Sequence, residues 1–142
     1  MKNNVTGIAV LSIIIILFFA CTAVSSDSKE ESAVKAADSW LALVDHGDYD
    51  KSWEEAAAYF RNAIPKEQWQ QTIAAVRTPL GNVITREIHS RDYMTSLPGA
   101  PDGEYVVIQF KTSFANKKAA IETITPMLEQ DGTWRVSGYY IK

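Results

Sequence analysis

Cysteine and histidine are scarce in this chain of 142 residues, which has one cysteine and two histidines. A single thiol, at Cys21, cannot form an intramolecular disulfide and cannot build a cysteine-based metal site. The histidines and carboxylates show neither the spacing of a zinc site nor that of a calcium-binding loop. We therefore expect no bound metal and no other cofactor.

Basic charge is also sparse, because 14 basic side chains stand against 17 acidic ones and the net charge is −3. No cluster of Arg or Lys forms a basic patch along the chain, so binding to nucleic acid is not expected. The sequence has no Gly-rich phosphate loop, and none of its serines lies in a Gly-x-Ser-x-Gly nucleophile elbow. The apolar fraction of 46% is typical of an ordinary globular domain.

The first 24 residues differ from the rest of the chain. No charged residue lies between Lys2 and Asp27, and residues 8–20 are almost entirely aliphatic or Phe. A basic start followed by a short apolar run with small residues at its end is typical of a secretory signal. We therefore interpret residues 1–24 as a signal peptide or membrane anchor and residues 25–32 as a short tether.

Three fates of this segment are open. Ala20-Cys21 resembles the cleavage site of a bacterial lipoprotein, in which Cys21 carries the lipid, and this is the fate we favour. Cleavage within residues 23–25 would instead release the domain, and an uncleaved segment would suffice to span a bilayer, which takes about 20 helical residues. Each alternative places the domain outside the cytoplasm, in the periplasm or the cell envelope.

Helical periodicity in the first part of the domain gives way to strand periodicity in the second. Three helices are predicted, over residues 33–46, 49–64 and 65–80. Four strands are predicted, over residues 83–93, 106–114, 120–129 and 133–141. Because helices and strands are segregated, residues 33–142 are predicted to form an α+β domain with three helices packed on a curved four-stranded antiparallel sheet.

Two strands carry more detailed expectations. Pro126 cannot donate a ladder hydrogen bond, so the third strand is either an edge strand or bulged at that position. Strict alternation along the last strand puts Val136 and Tyr140 on one face and Tyr139 and Ile141 on the other. With Val107, the latter two residues would form an exposed apolar patch through which copies of the domain dimerise.

Several separated blocks of the sequence resemble DUF4019, an uncharacterised bacterial family. The blocks are residues 36–41, 47–49, 52–53, 75–81, 95–105 (including Pro98-Gly99-Ala100-Pro101-Asp102-Gly103), 114–117 and 134–140. The resemblance implies a small exported domain over residues 33–142, and it implies no activity, substrate or catalytic residue. More loosely, the order of elements is similar to the NTF2-like (cystatin-like) architecture, in which helices pack into a curved sheet.

His89 and Glu87 are the candidates for catalysis. They share a face of the first predicted strand, and a His near a carboxylate can act as a general base. A lone His on a strand is more often a surface or structural residue. His46, at a helix end, is interpreted as a residue that favours the helix dipole.

Four aromatic residues are candidates for lining a ligand pocket, namely Trp40, Trp53, Trp134 and Tyr140. Core packing is the competing interpretation, because large aromatic side chains supply much of the burial in a small domain.

The predicted function is a non-catalytic, membrane-tethered accessory or binding domain for an envelope protein or a small ligand. One alternative is a small cofactor-independent NTF2-like enzyme that uses His89 and Glu87. The other is a structural domain that forms a homodimer.

Overall fold

The computed structural model describes residues 25–142, in which helices precede strands. The helices are α1 (Ser26–His46), α2 (Tyr49–Glu54), α3 (Ala58–Ala63) and α4 (Lys66–Leu80). The strands are β1 (Val83–Met94), β2 (Tyr105–Phe114), β3 (Lys117–Leu128) and β4 (Trp134–Ile141). They form one antiparallel sheet in the order β1-β2-β3-β4, so the predicted α+β class is confirmed. The predicted signal or anchor over residues 1–24, with Cys21, lies outside the described residues.

Helix α1 starts earlier than its apolar periodicity indicates. It begins at Ser26, so residues 26–32, which we expect to act as a tether, form its first two turns. Lys29 donates to the Glu104 carboxylate, and Glu30 pairs with Arg91 at 3.1 Å. These contacts hold the first turns against the sheet, and the 21 residues of α1 span about 32 Å at 1.5 Å per residue. Between residues 25 and 142, no helix is both long and apolar enough to cross a membrane.

The predicted second helix is two short helices, α2 and α3, so the described chain has four helices where three are expected. The break falls at residues 55–57, where Ala56 and Ala57 are fully buried. The Ala57 N–H donates to the carbonyl of Val136 at 2.8 Å. Small side chains let the backbone approach β4 this closely, and the tertiary hydrogen bond replaces a helical one.

One face of the sheet packs against the helices, and we call it the covered face. The core between them consists of Ala33, Ala37, Trp40, Leu41, Val44, Ala56, Phe60, Trp69, Ile73, Val106, Ile108, Phe110, Ile124 and Val136. Trp40 is central, with its ring centroid 5.8 Å from that of Trp69 and 5.3 Å from that of Tyr139. Its indole N–H donates to the carbonyl of Ser52 at 2.7 Å, so the buried polar group is satisfied. Each large apolar side chain buried here contributes about 1.5–3 kcal/mol.

A β-bulge changes which residues of β4 face the helices. Pro126 lies in the interior strand β3, and the register with β4 shifts between Thr125 and Pro126. The bulged alternative is therefore correct for Pro126, and the edge-strand alternative is wrong. The extra residue in β4 breaks the alternation, so Val136 and Tyr139 both face the helices.

The predicted dimerisation patch is not formed for the same reason. Tyr139 packs against Trp40, and its hydroxyl donates to Glu122, a fully buried residue. Ile141 is paired with Glu122 across the strands and lies on that same covered face, away from Val107. The assignment of Tyr139 and Ile141 to an exposed face is thus wrong, because strict alternation does not survive a bulge.

Candidate ligand site on the open sheet face

The residues that alternate with the core residues of the sheet lie on its other face. The helices α1 to α4 leave this face uncovered, and we call it the open face. Strand register places Glu87 opposite Lys111, and Lys111 opposite Ile121. Ile121 exchanges both backbone hydrogen bonds with Lys142, at 3.0 and 2.9 Å. Side chains paired in this way have Cβ atoms about 5 Å apart. One row of four residues therefore crosses the whole sheet.

A cleft of about 570 Å³ lies over this row, and we call it the open-face cleft. Its lining residues include Thr85, Glu87, Lys111, Ser113, Lys118, Ala119, Ala120, Ile121 and Lys142. Most of the lining surface is apolar, from Ala119, Ile121 and the methylene stems of the lysines. The volume falls within the roughly 300–1,000 Å³ that is typical of small-molecule sites.

Three lysines and one glutamate supply the charges of the cleft. Lys111, Lys118 and Lys142 are exposed, as is Glu87. In the described part of the chain, none of the three lysines lies within ion-pair distance of a carboxylate side chain. The Lys142 ammonium instead lies 5.6 Å from the ring centroid of Tyr140. The side chains of the cleft are therefore locally cationic in a chain whose net charge is −3.

The covered face holds the other cluster of polar side chains, which we call the buried polar cluster and which consists of Asp45, Arg77, Arg86, Thr112, Glu122 and Tyr139. Glu122 is fully buried at its centre. One carboxylate oxygen accepts from Arg86 Nε and from the Thr112 hydroxyl, both at 2.6 Å. The other accepts from Tyr139 at 2.5 Å and from Arg86 Nη2 at 3.2 Å. The carboxylate of Glu122, on β3, is thus satisfied by side chains from the other three strands.

Asp45 connects the cluster to the helices. It accepts from Arg86 at 2.7 Å and from Arg77, which belongs to α4, at 2.8 Å. Burial opposes ionisation of Asp45, but the hydrogen bonds from Arg86 and Arg77 outweigh it and lower the pKa of Asp45. Two other guanidinium nitrogens of Arg77, Nε and Nη1, are buried without a hydrogen-bond partner among the described residues.

Tyr139 completes the cluster. Burial, and then the negative charge of Glu122, raise the pKa of the Tyr139 hydroxyl, so it keeps its proton and donates to that carboxylate. The donors and acceptors around Glu122 are used by one another, and the cluster ties all four strands to α1 and α4. This arrangement indicates that the buried polar cluster has a structural role, holding the strands and the two helices together by hydrogen bonds.

The structure separates the two candidates for catalysis. Glu87 lines the open-face cleft, and His89 does not. The register shifts between Ile88 and Ser90, so His89 is the extra residue of a β-bulge on the edge strand β1, and its side chain is exposed. In the described chain no hydrogen bond joins His89 to a carboxylate, so catalysis by this pair stays a prediction.

The four aromatic candidates do not share one site. Trp40 and Trp134 both line a cleft of about 370 Å³ between α1 and β4. The Trp53 indole donates to the carbonyl of Ile64 at 2.8 Å. Tyr140 is exposed on the open face, where it is paired with Thr123.

The lysines of the open-face cleft are the residues that sequence reasoning missed. Lys111 lies on the polar face of a predicted strand, and this is the only signal in the sequence for any of the three. Lys118 and Lys142 lie near strand ends, where a lysine is unremarkable. The sheet register, and not sequence proximity, gathers them. Among residues 25–142, no group of three or more His, Cys, Asp or Glu side chains is placed to hold a metal.

Helices on one face of an open antiparallel sheet, with a cleft on the other face, define a small α+β domain of the helix-on-sheet type. Residues 36–139 match DUF4019, a family described as a protein of unknown function, and the chain belongs to this family. The resemblance seen in the sequence is therefore confirmed, whereas the NTF2-like likeness stays a prediction. No similar sequence was found among the curated proteins.

Proposed function

We propose that this protein is a non-catalytic binding domain, held outside the cytoplasm by residues 1–24, that acts on an envelope protein or a small ligand. The observation that carries the proposal is the open-face cleft, a concavity of about 570 Å³ with an aliphatic floor and three lysines that form no ion pair within residues 25–142. Catalysis needs reactive groups that can meet a substrate. The largest group of side chains joined by hydrogen bonds among residues 25–142 is instead the buried polar cluster.

The direction of α1 determines where the cleft would lie relative to the proposed anchor. Near its start, Glu30 pairs with Arg91, and near its end Asp45 pairs with Arg86. The helix therefore runs antiparallel to β1, and the cleft, which includes Glu87, lies at the level where α1 ends. A membrane anchor before α1 would thus present the cleft to the envelope at up to about 30 Å from the bilayer, the length of this helix.

The location is tested by intact mass and membrane fractionation of the protein expressed in a bacterium, beside the variant Cys21→Ser. We expect a mature chain that begins at Cys21, carries added acyl mass and sediments with membranes, and we expect the variant to lose all three properties. If the chain is found unprocessed in the membrane fraction, the anchor is an uncleaved membrane-spanning helix and not a lipid. A chain in the soluble cytoplasmic fraction would overturn the proposed location.

The binding surface is tested by photo-crosslinking in intact cells. A photo-reactive residue in place of Ser113, which lines the cleft, should capture an envelope component. The same residue in place of Gln71, which is exposed on α4, is the matched control and should capture none. Equal capture at the two positions, or none at Ser113, would contradict binding at the open face.

A further inference from the structure

The open-face cleft combines two features that a ligand must satisfy together. Its floor is aliphatic, from the side chains of Ala119 and Ile121, and its charged groups stand within one or two strands of that floor. Lys111 and Lys142 are the neighbours of Ile121 on either side in the cross-sheet row. The aliphatic chain of a ligand placed on Ile121 would therefore have a lysine ammonium group within reach on both sides.

The lining excludes several other ligand classes. A cationic ligand would meet three ammonium groups and one carboxylate, that of Glu87. Single-stranded nucleic acid is bound through aromatic stacking platforms, and none of the described residues that line this cleft is aromatic. A small inorganic anion would leave the aliphatic floor in contact with water, which forgoes the free energy of apolar burial.

Size and position distinguish a free ligand from a membrane lipid. The cleft holds about 570 Å³, which suits one short chain and not a lipid with two long ones. It also lies level with the end of α1 that is opposite to Ser26, so a bilayer entered by residues 1–24 would be separated from it by up to about 30 Å, the length of the helix.

We infer that the open-face cleft binds a free anionic amphiphile, an aliphatic chain that ends in a carboxylate, with the chain on Ile121 and the carboxylate between Lys111 and Lys142. The inference rests on the proposed binding function and names the chemical class of its ligand. Charge-assisted hydrogen bonds from the lysines to the carboxylate contribute to the free energy of binding, and so does the burial of the methylene groups of the ligand.

The test is a titration of the full-length protein, held in nanodiscs of zwitterionic lipid, with octanoate. Methyl NMR reads the signal of Ile121 in the cleft, with the core residue Ile73 as the internal control for folding and empty nanodiscs as the blank. We expect a saturable shift at Ile121 and none at Ile73. Octanol, which lacks the charge, and acetate, which lacks the chain, should each bind about tenfold more weakly.

Two double variants separate the cleft from general charge effects. Lys111→Ala with Lys142→Ala should weaken octanoate binding about tenfold. Lys35→Ala with Lys51→Ala removes the same charge from exposed positions of the helical layer and should leave it unchanged. Higher salt should weaken the binding of octanoate but not that of octanol.

The results that overturn the inference are distinct. An Ile121 signal that octanoate does not shift, equal affinity for octanol or acetate, or equal affinity of the cleft variant would each exclude an anionic amphiphile. If a photo-reactive residue at position 113 still captures an envelope component in that case, the ligand class is wrong and the binding function stands. If it captures nothing, both fail.

Discussion

The two faces of one four-stranded sheet carry their charges in opposite ways. On the covered face, Glu122 is fully buried and accepts hydrogen bonds from Arg86 and Tyr139. On the open face, Lys111 and Lys142 are exposed and have no ion pair among the described residues. Desolvating an ion costs several kcal/mol, so a buried charge requires partners, whereas water solvates an exposed one. The covered charges serve the fold, and the open charges are available to a ligand.

Substitution of one aromatic side chain on each face tests the same comparison, and it gives the largest expected change in the free energy of unfolding. Trp40 is 3% exposed on the covered side and Tyr140 is 49% exposed on the open side. We expect Trp40→Ala to lower the free energy of unfolding by about 4 kcal/mol, because it empties the centre of the core. Tyr140→Ala should lower it by less than about 1 kcal/mol. Denaturant titrations followed by circular dichroism measure both, and similar losses would contradict the assignment of faces.

Two glutamates provide a matched test of the charges. Glu122→Ala leaves Arg86 with only Asp45 as a partner and leaves the hydroxyls of Thr112 and Tyr139 unpaired, so we expect a loss of about 3 kcal/mol. Glu87→Ala, on the open face, should change the free energy of unfolding by less than about 0.5 kcal/mol. A stable Glu122→Ala variant, measured in the same denaturant titration, would show that the buried polar cluster is dispensable.

The acid dependence of stability provides a third test. Hydrogen bonds from Arg86 and Arg77 outweigh burial and hold the pKa of Asp45 below its unfolded value of about 3.9. The ionised carboxylate therefore stabilises the fold above about pH 4, and this contribution is lost as the pH falls through the folded pKa. Asp45→Asn should cost about 1 kcal/mol at neutral pH. It should also lose less stability than the wild type between about pH 5 and pH 2.

Unfolding titrations at several pH values measure this difference. Asp92→Asn, which changes an exposed carboxylate of β1, is the control and should keep the acid dependence of the wild type. If the free energy of unfolding changes with pH in parallel for the wild type and Asp45→Asn, then Asp45 does not contribute to the acid dependence of stability.

The smallest expected effect on stability belongs to the open-face lysines. Lys111→Ala with Lys142→Ala should change the free energy of unfolding by less than about 0.5 kcal/mol, because exposed charges without partners contribute little. The same variant should lose octanoate binding about tenfold. A loss of stability above about 1 kcal/mol in a denaturant titration would mean that these lysines serve the fold, and the contrast between the faces would disappear.

Much of the fold follows from local pattern. Strand β2 alternates between apolar and polar residues, and the structure buries Val106, Ile108 and Phe110 as that alternation indicates. The break between α2 and α3 could not be predicted, because its cause is the hydrogen bond from Ala57 to a carbonyl of β4. Apolar spacing reports which side of a helix is buried, and it does not report a tertiary hydrogen bond that ends the helix.

The candidate site was less predictable than the fold. The sequence indicates His89 as the functional neighbour of Glu87, yet in the structure the residue paired with Glu87 across the strands is Lys111. Sequence spacing relates residues of one strand, whereas a site on a sheet is assembled across strands.

The sequence by itself determined the order of helices and strands, the α+β class and the membership in DUF4019, because these depend on near-neighbour periodicity and on similarity along the chain. Only the tertiary structure decided the bulges at His89 and opposite Pro126, the burial of Tyr139 and the gathering of Lys111, Lys118 and Lys142 around one cleft. The physical reason is strand register, because a shift of one residue exchanges the two faces of a strand and pairing joins residues that are distant in sequence.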